Sequence, residues 1–156
     1  MKNLLASILN AGTVYAHCDI PCAIYTVHSA AIAAETVEKM VTKLYEQVPP
    51  ADGAERKERL EFENTLARCI MVKEEHAELC KREILILWTD YFKPEHLEQF
   101  SDLHEKIWKA TKLCSQNKRE VNAEAAKALR QAVDEINEIF KKAESDQAKA
   151  YRQDYL

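Results

Sequence analysis

Residues 122–143, NAEAAKALRQAVDEINEIFKKA, decide the fold class. Ala125, Leu129, Val133, Ile136, Phe140 and Ala143 recur at three- and four-residue steps, the spacing that gathers side chains on one face of an α-helix. Lys, Arg, Glu and Asp occupy the opposite face. The stretch therefore predicts an amphipathic helix that must bury its apolar stripe against other elements. The segment beyond it, from Ser145 to Leu156, is polar and is expected to fray.

Working back along the chain, three more stretches carry the same period. Ser29 can cap a first helix in which Val37, Met40 or Val41, Leu44 and Val48 recur at helical spacing. Pro49-Pro50-Ala51-Asp52-Gly53 ends it, because proline lacks the backbone donor that a helix interior needs. A second, long helix is expected from near Ala54 to about Tyr91, with Leu60, Leu66, Ile70, Ala77, Cys80, Ile84 and Trp88 on a drifting stripe and Lys93-Pro94 stopping it. At 1.5 Å rise per residue such a segment spans roughly 55 Å, so a bend or a frayed first third is expected. A third stretch runs from Glu95 to about Cys114 with Leu97, Phe100, Leu103, Ile107 and Leu113 inward and a short break near Ser101. Four amphipathic helices with short connections predict an all-α, antiparallel four-helix bundle over residues 29–156.

Composition agrees with one such domain. The chain has 156 residues, 47% hydrophobic and 31% charged, enough for a core and a solvated exterior. Two glycines and four prolines are too few for the tight turns of an all-β sandwich. The net charge of −4 and the lack of a basic, aromatic-studded stripe argue against nucleic acid as a partner. No apolar run approaches the ~20 residues that span a bilayer, so no membrane association and a soluble chain are expected.

A bundle says nothing about chemistry, which must come from a site. The Glu-x-x-His repeats of di-metal bundles are absent, since Tyr25, Lys73, Lys93 and Ser101 precede His28, His76, His96 and His104 by three. Neither His-Glu-x-x-His nor a glycine-rich phosphate loop occurs. Of the five cysteines, Cys69, Cys80 and Cys114 fall on helical core stripes and read as small buried hydrophobes. His96 and His104 read as solvated or capping residues rather than ligands.

The remaining two cysteines lie in unusual sequence. Residues 1–16 place one lysine ahead of a short apolar stretch interrupted by Asn10 and Gly12, and Val14-Tyr15-Ala16 offers a small residue at a cut. A removable pro-segment is favoured over a weak export signal. Cleavage after Ala16 would expose His17-Cys18-Asp19-Ile20-Pro21-Cys22, bringing a free amine, an imidazole and two thiols within six residues of one terminus. The amine and the following peptide nitrogen close a small chelate ring, Cys18 adds its sulfur, and Pro21 helps turn Cys22 back toward the same ion. Planar nitrogen donors with sulfur suit copper(II) or nickel(II), with the His17 imidazole available above the plane. A Cys18–Cys22 disulfide, or two plain thiols at a flexible end, fits the spacing equally well.

With these residues in view, the chain resembles the nickel superoxide dismutase family. The segment from His17 to Tyr25 resembles that family's nickel hook, His-Cys-Asp-x-Pro-Cys-Gly-x-Tyr. Leu87-Trp88-Thr89-Asp90-Tyr91-Phe92-Lys93-Pro94 resembles a second family segment, as do Lys73-Glu74-Glu75 and Ala77-Glu78-Leu79. The likeness runs from His17 to about Ala143 and implies a four-helix bundle with a hook over residues 17–28.

The resemblance implies that a processing protease cuts just before His17. It implies one nickel ion per subunit held by His17, Cys18 and Cys22, and a homohexamer. It further implies that superoxide is the substrate, dismuted to oxygen and hydrogen peroxide by Ni(II)/Ni(III) cycling. Tyr25 and Tyr91 match tyrosines near the substrate's approach, with Tyr25 counted among the catalytic residues, and Asp19 matches a residue supporting the hook. Lys93 can favour an approaching anion. Ala23 stands where the family has glycine. Ala33 and His76 stand where many members carry a glutamate and an arginine that orient the axial imidazole, so an altered network is expected, with His76 standing in. A cytoplasmic location is expected, with export through the signal-like leader left open. The rival readings are a non-catalytic nickel or copper carrier using the same hook, and a helical interaction module with a flexible end.

Overall fold

Residue for residue, the helices begin and end where backbone donors run out. The computed structural model describes residues 24–144, so the leader, the hook ligands and the polar tail lie outside the described residues. Helix α1 spans His28–Tyr45, α2 Arg56–Ile86, α3 Pro94–Gln99, α4 Leu103–Arg119 and α5 Ala123–Ala143, with a π-helical turn at Leu87–Tyr91. Among the described residues there is no strand.

The α1 cap is not Ser29. The helix starts one residue earlier, and the His28 amide donates to Thr26 Oγ1 at 3.2 Å. At its other end α1 stops at Tyr45 rather than running to Val48, because the i+4 partner for the Tyr45 carbonyl would be Pro49, which has no N–H. Val48 is 82% exposed as a result. Gly53 turns the connection with φ at +85°, a conformation that side chains disfavour.

The long second helix is largely as expected, but it begins at Arg56 and changes pitch at Leu87, where the Phe92 amide donates to the Leu87 carbonyl five residues back at 2.9 Å. Its first buried residue is Cys69; Leu60 and Ile70, expected inward, are exposed. The first third has no partner helix to bury against, so periodicity there has no core to serve. The third stretch is split, as expected, around Ser101 into α3 and α4. Asn122 caps α5, accepting the Ala125 amide on Oδ1 at 3.0 Å.

Helix α1 packs on α2 and α5, and α4 packs on α2 and α5, closing a four-membered ring of helices. The three-residue link from α4 to α5 forces those two antiparallel. The core is narrow where Ala30, Ala33 and Ala34 face it, and is filled by Val37, Ile84, Leu103, Leu129, Val133, Ile136 and Phe140. Each fully buried Val, Leu, Ile or Phe contributes roughly 1.5–3 kcal/mol relative to exposure.

At one end of this bundle Lys73 is buried on α2, its ammonium donating to the carbonyls of Asn117, of Lys118 at 3.2 Å and of Glu120 at 3.0 Å. Three orphan carbonyls at the end of α4 thereby find a cation, which also suits the negative pole of the helix dipole. Tyr45 reinforces the same end by donating its hydroxyl to the Val121 carbonyl at 3.0 Å. The opposite end gathers the start of α1, the π-helical turn and the C-terminus of α5, and it is there that aromatic side chains collect.

Candidate metal centre

The chain enters α1 through Ile24-Tyr25-Thr26-Val27. Tyr25 is 6% exposed and Val27 2%, so alternate residues of this approach enter the core while Ile24 stays exposed. Tyr25 and Val27 thus bury their side chains at the aromatic end of the bundle.

Tyr91, the last residue of the π-helical turn, is the centre of that end. Its ring lies 5.6 Å from Tyr25 at 53°, 4.5 Å from Phe140 at 38° and 5.2 Å from Phe92 at 76°. The His96 ring stacks on it at 5.7 Å, with only 15° between the planes. An uninterrupted α-helix would advance each residue by 100°; the wider π turn shifts that register and presents Tyr91 to Phe140 and Tyr25. Phe92 then leaves in an extended conformation, φ −70° and ψ 140°, and Lys93 follows, exposed, before Pro94 starts α3.

His96 belongs to this constellation through more than its ring. The Lys93 amide donates to His96 Nδ1 at 3.1 Å while the His96 amide donates to the Lys93 carbonyl at 2.9 Å. This reciprocal pair is a capping box with histidine in the usual Glu/Gln position. Burial draws the His96 imidazole below its ordinary pKa, against the raising influence of Glu95 and with the lowering influence of Lys93. Capping is one of the roles expected of His96. Its stacking on Tyr91 and the place of Phe140 at the site were not read from the sequence; the signal was the Lys93-Pro94-Glu95-His96 spacing, which puts a side-chain acceptor three residues after the N-cap.

The expected ligands His17, Cys18 and Cys22 lie outside the described residues, as do Asp19 and Ala23. Tyr25 and Tyr91 are brought together. Ala33 is fully buried on α1. His76 is half-buried on α2, with Nδ1 2.8 Å from the Val72 carbonyl; since a carbonyl only accepts, Nδ1 donates to it. His104 is exposed and meets the edge of Trp88 at 5.6 Å. Cys69, Cys80 and Cys114 are free and buried, as expected. Among the described residues no group of three or more His, Cys, Asp or Glu side chains is arranged to hold a metal ion. No helix among them is long and apolar enough to cross a membrane.

Comparison with known proteins adds the following. Residues 12–144 match the family described as nickel-containing superoxide dismutase. A Streptomyces coelicolor protein named superoxide dismutase [Ni] is 32% identical over 128 residues, covering 82% of this chain and 88% of that protein. Its namesake from Streptomyces seoulensis is 32% identical over 127 residues, covering 81% and 87%. The native crystal structure of a nickel superoxide dismutase superposes with a TM-score of 0.70 at 29% identity, covering 83% of this chain and all of that one. A structure with nickel ligation corresponding to the oxidised state gives 0.67 at 31% identity, covering 81% and 97%.

Proposed function

We infer the site from one premise: this chain belongs to the nickel-containing superoxide dismutase family. Its activity is nickel-dependent dismutation of superoxide to oxygen and hydrogen peroxide, an oxidoreductase reaction, and the carrier reading is not favoured. The metal, in our reading, is held by the hook: the His17 amine and imidazole, the Cys18 amide nitrogen and sulfur, and the Cys22 sulfur. The observation that carries this assignment is the burial of Tyr25 against Tyr91, which tethers the chain three residues past Cys22 to the aromatic end of the bundle.

The donor set fits the ion. Imidazole, amine and thiolate are ligands for late first-row divalent metals, and two thiolates with an ionised amide supply the negative charge that favours a higher oxidation state. The remaining three thiols are packed inside the bundle and offer no competing set. Bound at the hook, nickel supplies one-electron cycling between its divalent and trivalent states.

The chain's own side chains do the rest. Exposed Lys93 adds a local positive charge for an approaching anion on a protein of net charge −4. Tyr25 and Tyr91 wall the approach with apolar faces, which keeps bulky reductants out and limits the time that the Cys18 and Cys22 sulfurs spend beside free peroxide. We place a water at the Tyr25 hydroxyl, through which the two protons that peroxide requires would pass from solvent.

Maturation belongs to the same reading: a protease removes residues 1–16, freeing the His17 amine, in the cytoplasm. So does assembly into a homohexamer, for which Trp108 and Met71, both more than half exposed, supply apolar surface. N-terminal sequencing and metal analysis of protein from its native host test the proposal. The expected result is a chain starting at His17 with one nickel per subunit, six chains per particle by light scattering, and loss of both nickel and activity in His17→Gln, Cys18→Ser and Cys22→Ser. An active chain that retains its leader and contains no nickel overturns it.

A further inference from the structure

Helices α2 and α4 run in opposite senses and are held in register by polar contacts that bracket a pair of thiols. The Lys73 ammonium donates to the Lys118 carbonyl at 3.2 Å, Glu78 pairs with the Lys118 ammonium, and the Lys81 ammonium donates to Ser115 Oγ at 3.2 Å. Among these contacts Cys80 hydrogen-bonds with Cys114, and both are 0% exposed. Ala77, one turn before Cys80, and Ala110, one turn before Cys114, are also fully buried, so small side chains flank the thiols and let the two helices approach closely. Cys69 is a free thiol as well, but it lies three helical turns from Cys80 along α2, roughly 16 Å, far outside the reach of a disulfide.

We propose that Cys80 and Cys114 form a peroxide-closed staple: hydrogen peroxide, the product of the dismutation, converts this buried dithiol to a disulfide that ties α2 to α4. The oxidant is supplied by the protein's own activity. In the first step a thiolate of the pair attacks one peroxide oxygen; the O–O bond breaks, an S–O bond forms, and the departing hydroxide takes up a proton to leave as water. The partner sulfur then attacks the resulting sulfenic acid, so that the S–O bond breaks, the S–S bond forms and a second water leaves with the partner's proton. Two thiols and one peroxide give one disulfide and two waters, the sulfurs losing the two electrons that the peroxide gains. Sulfurs already in hydrogen-bonding contact must close to about 2.05 Å, a movement that rotation about the two Cα–Cβ bonds supplies.

Burial sets when this happens. The hydrogen bond with Cys114, together with burial, holds the Cys80 pKa above that of an ordinary thiol and so keeps the unreactive protonated form. Peroxide reaches the pair only when the joint between α2 and α4 opens locally. The disulfide therefore forms in molecules that have begun to open, and it draws them shut by removing conformational freedom from the opened state.

The test uses the mature, nickel-loaded protein without substitution. Trypsin separates the thiols of the bundle, since residues 69–73, 74–81 and 113–118 are cut into different peptides with one cysteine each. Protein is exposed to hydrogen peroxide with and without urea below the unfolding transition, blocked with iodoacetamide in denaturant, and digested without reductant. The expected result is a dithiothreitol-reversible peptide joining 74–81 to 113–118 with the loss of two hydrogens, formed at least about fivefold faster in urea, where local opening is more frequent. Amide exchange around Cys80 and Cys114 should then slow by at least about tenfold. The proposal is overturned if the two peptides stay unlinked at peroxide doses that oxidise the same thiols in denatured protein, or if either is carried to the sulfinic acid instead. A link from Cys80 to Cys69, or a joined protein whose amides exchange no more slowly, also overturns it. These readouts concern bundle peptides alone and stand whichever residues hold the nickel.

Discussion

Tyr25, on the approach to α1, and Tyr91, at the end of the π-helical turn, meet with ring centroids 5.6 Å apart and planes inclined at 53°. The contact joins the approach to α1 to the π-helical turn that ends α2, and Phe140 closes it from α5 at 4.5 Å. Three elements distant in sequence thus share one aromatic cluster.

Phe140 is the deepest member of that cluster, 1% exposed. Truncating it removes core volume and the surface on which Tyr91 rests. Phe140→Ala is expected to cost about 3–5 kcal/mol in urea unfolding, and to lower activity in whatever fraction stays folded. A loss under about 1 kcal/mol would show that the cluster collapses to fill the space.

Lys73 holds the far end. Replacing it with methionine keeps the volume of the stem and removes three hydrogen bonds to the end of α4. Lys73→Met is expected to destabilise the fold by about 2–3 kcal/mol, since buried carbonyls are left without donors. Hydrogen exchange should show the loss as faster opening at Gln116–Glu120, with little change around Tyr91. Uniformly faster exchange would contradict the local role.

Acid should loosen the grip of α4 on its neighbours. Glu135 sits below the ordinary carboxylate range chiefly through the hydrogen bond it accepts from Lys106, and Glu78 does so through Lys118. A carboxylate whose folded pKa is depressed adds stability above its unfolded value, near 4.3, and that stability disappears as pH falls through the lower folded value. Lys106→Met should therefore cost about 0.5 kcal/mol at pH 7, because water screens this half-exposed pair, and close to nothing near pH 2. Equal costs at both pH values would refute the linkage.

The five thiols should divide cleanly by reactivity. Cys80 hydrogen-bonds with Cys114, and this contact together with burial pushes its thiol up, away from the reactive thiolate. A short iodoacetamide pulse at pH 8 on metal-free native protein is expected to alkylate Cys18 and Cys22 while sparing Cys80 and Cys114 until denaturant is added. Mass spectrometry of peptides reads the outcome, and native labelling of Cys80 would mean that the core opens on that timescale.

Much of the bundle was legible because period and burial coincide where a helix has partners on one side. In α5 the residues read as inward, Ala125, Leu129, Val133, Ile136 and Phe140, are buried, and Ala143, at the end of the stripe, is half-buried. In α2 the same reading succeeds at Ala77, Cys80 and Ile84 and fails at Leu60 and Ile70, because the helix runs past the elements that could cover its first third. No local pattern marks Lys73 as buried; only the end of α4 arriving overhead makes its burial favourable. The aromatic cluster was half visible. Tyr25 and Tyr91 stood out by resemblance, whereas the stacking of His96 depends on a π turn that no local pattern announced.

The linear order of residues determined the helical class and the punctuation by proline and glycine, and it alone supplies the proposed donor set of the hook. Those properties are local, set by backbone sterics and by which atoms lie within a few bonds of one another. The tertiary structure alone decided which charge is buried, where α2 loses its core, and which rings converge on Tyr91. Such outcomes depend on surfaces distant in sequence meeting at contact distance, and short-range preference carries no information about that meeting until the chain has folded.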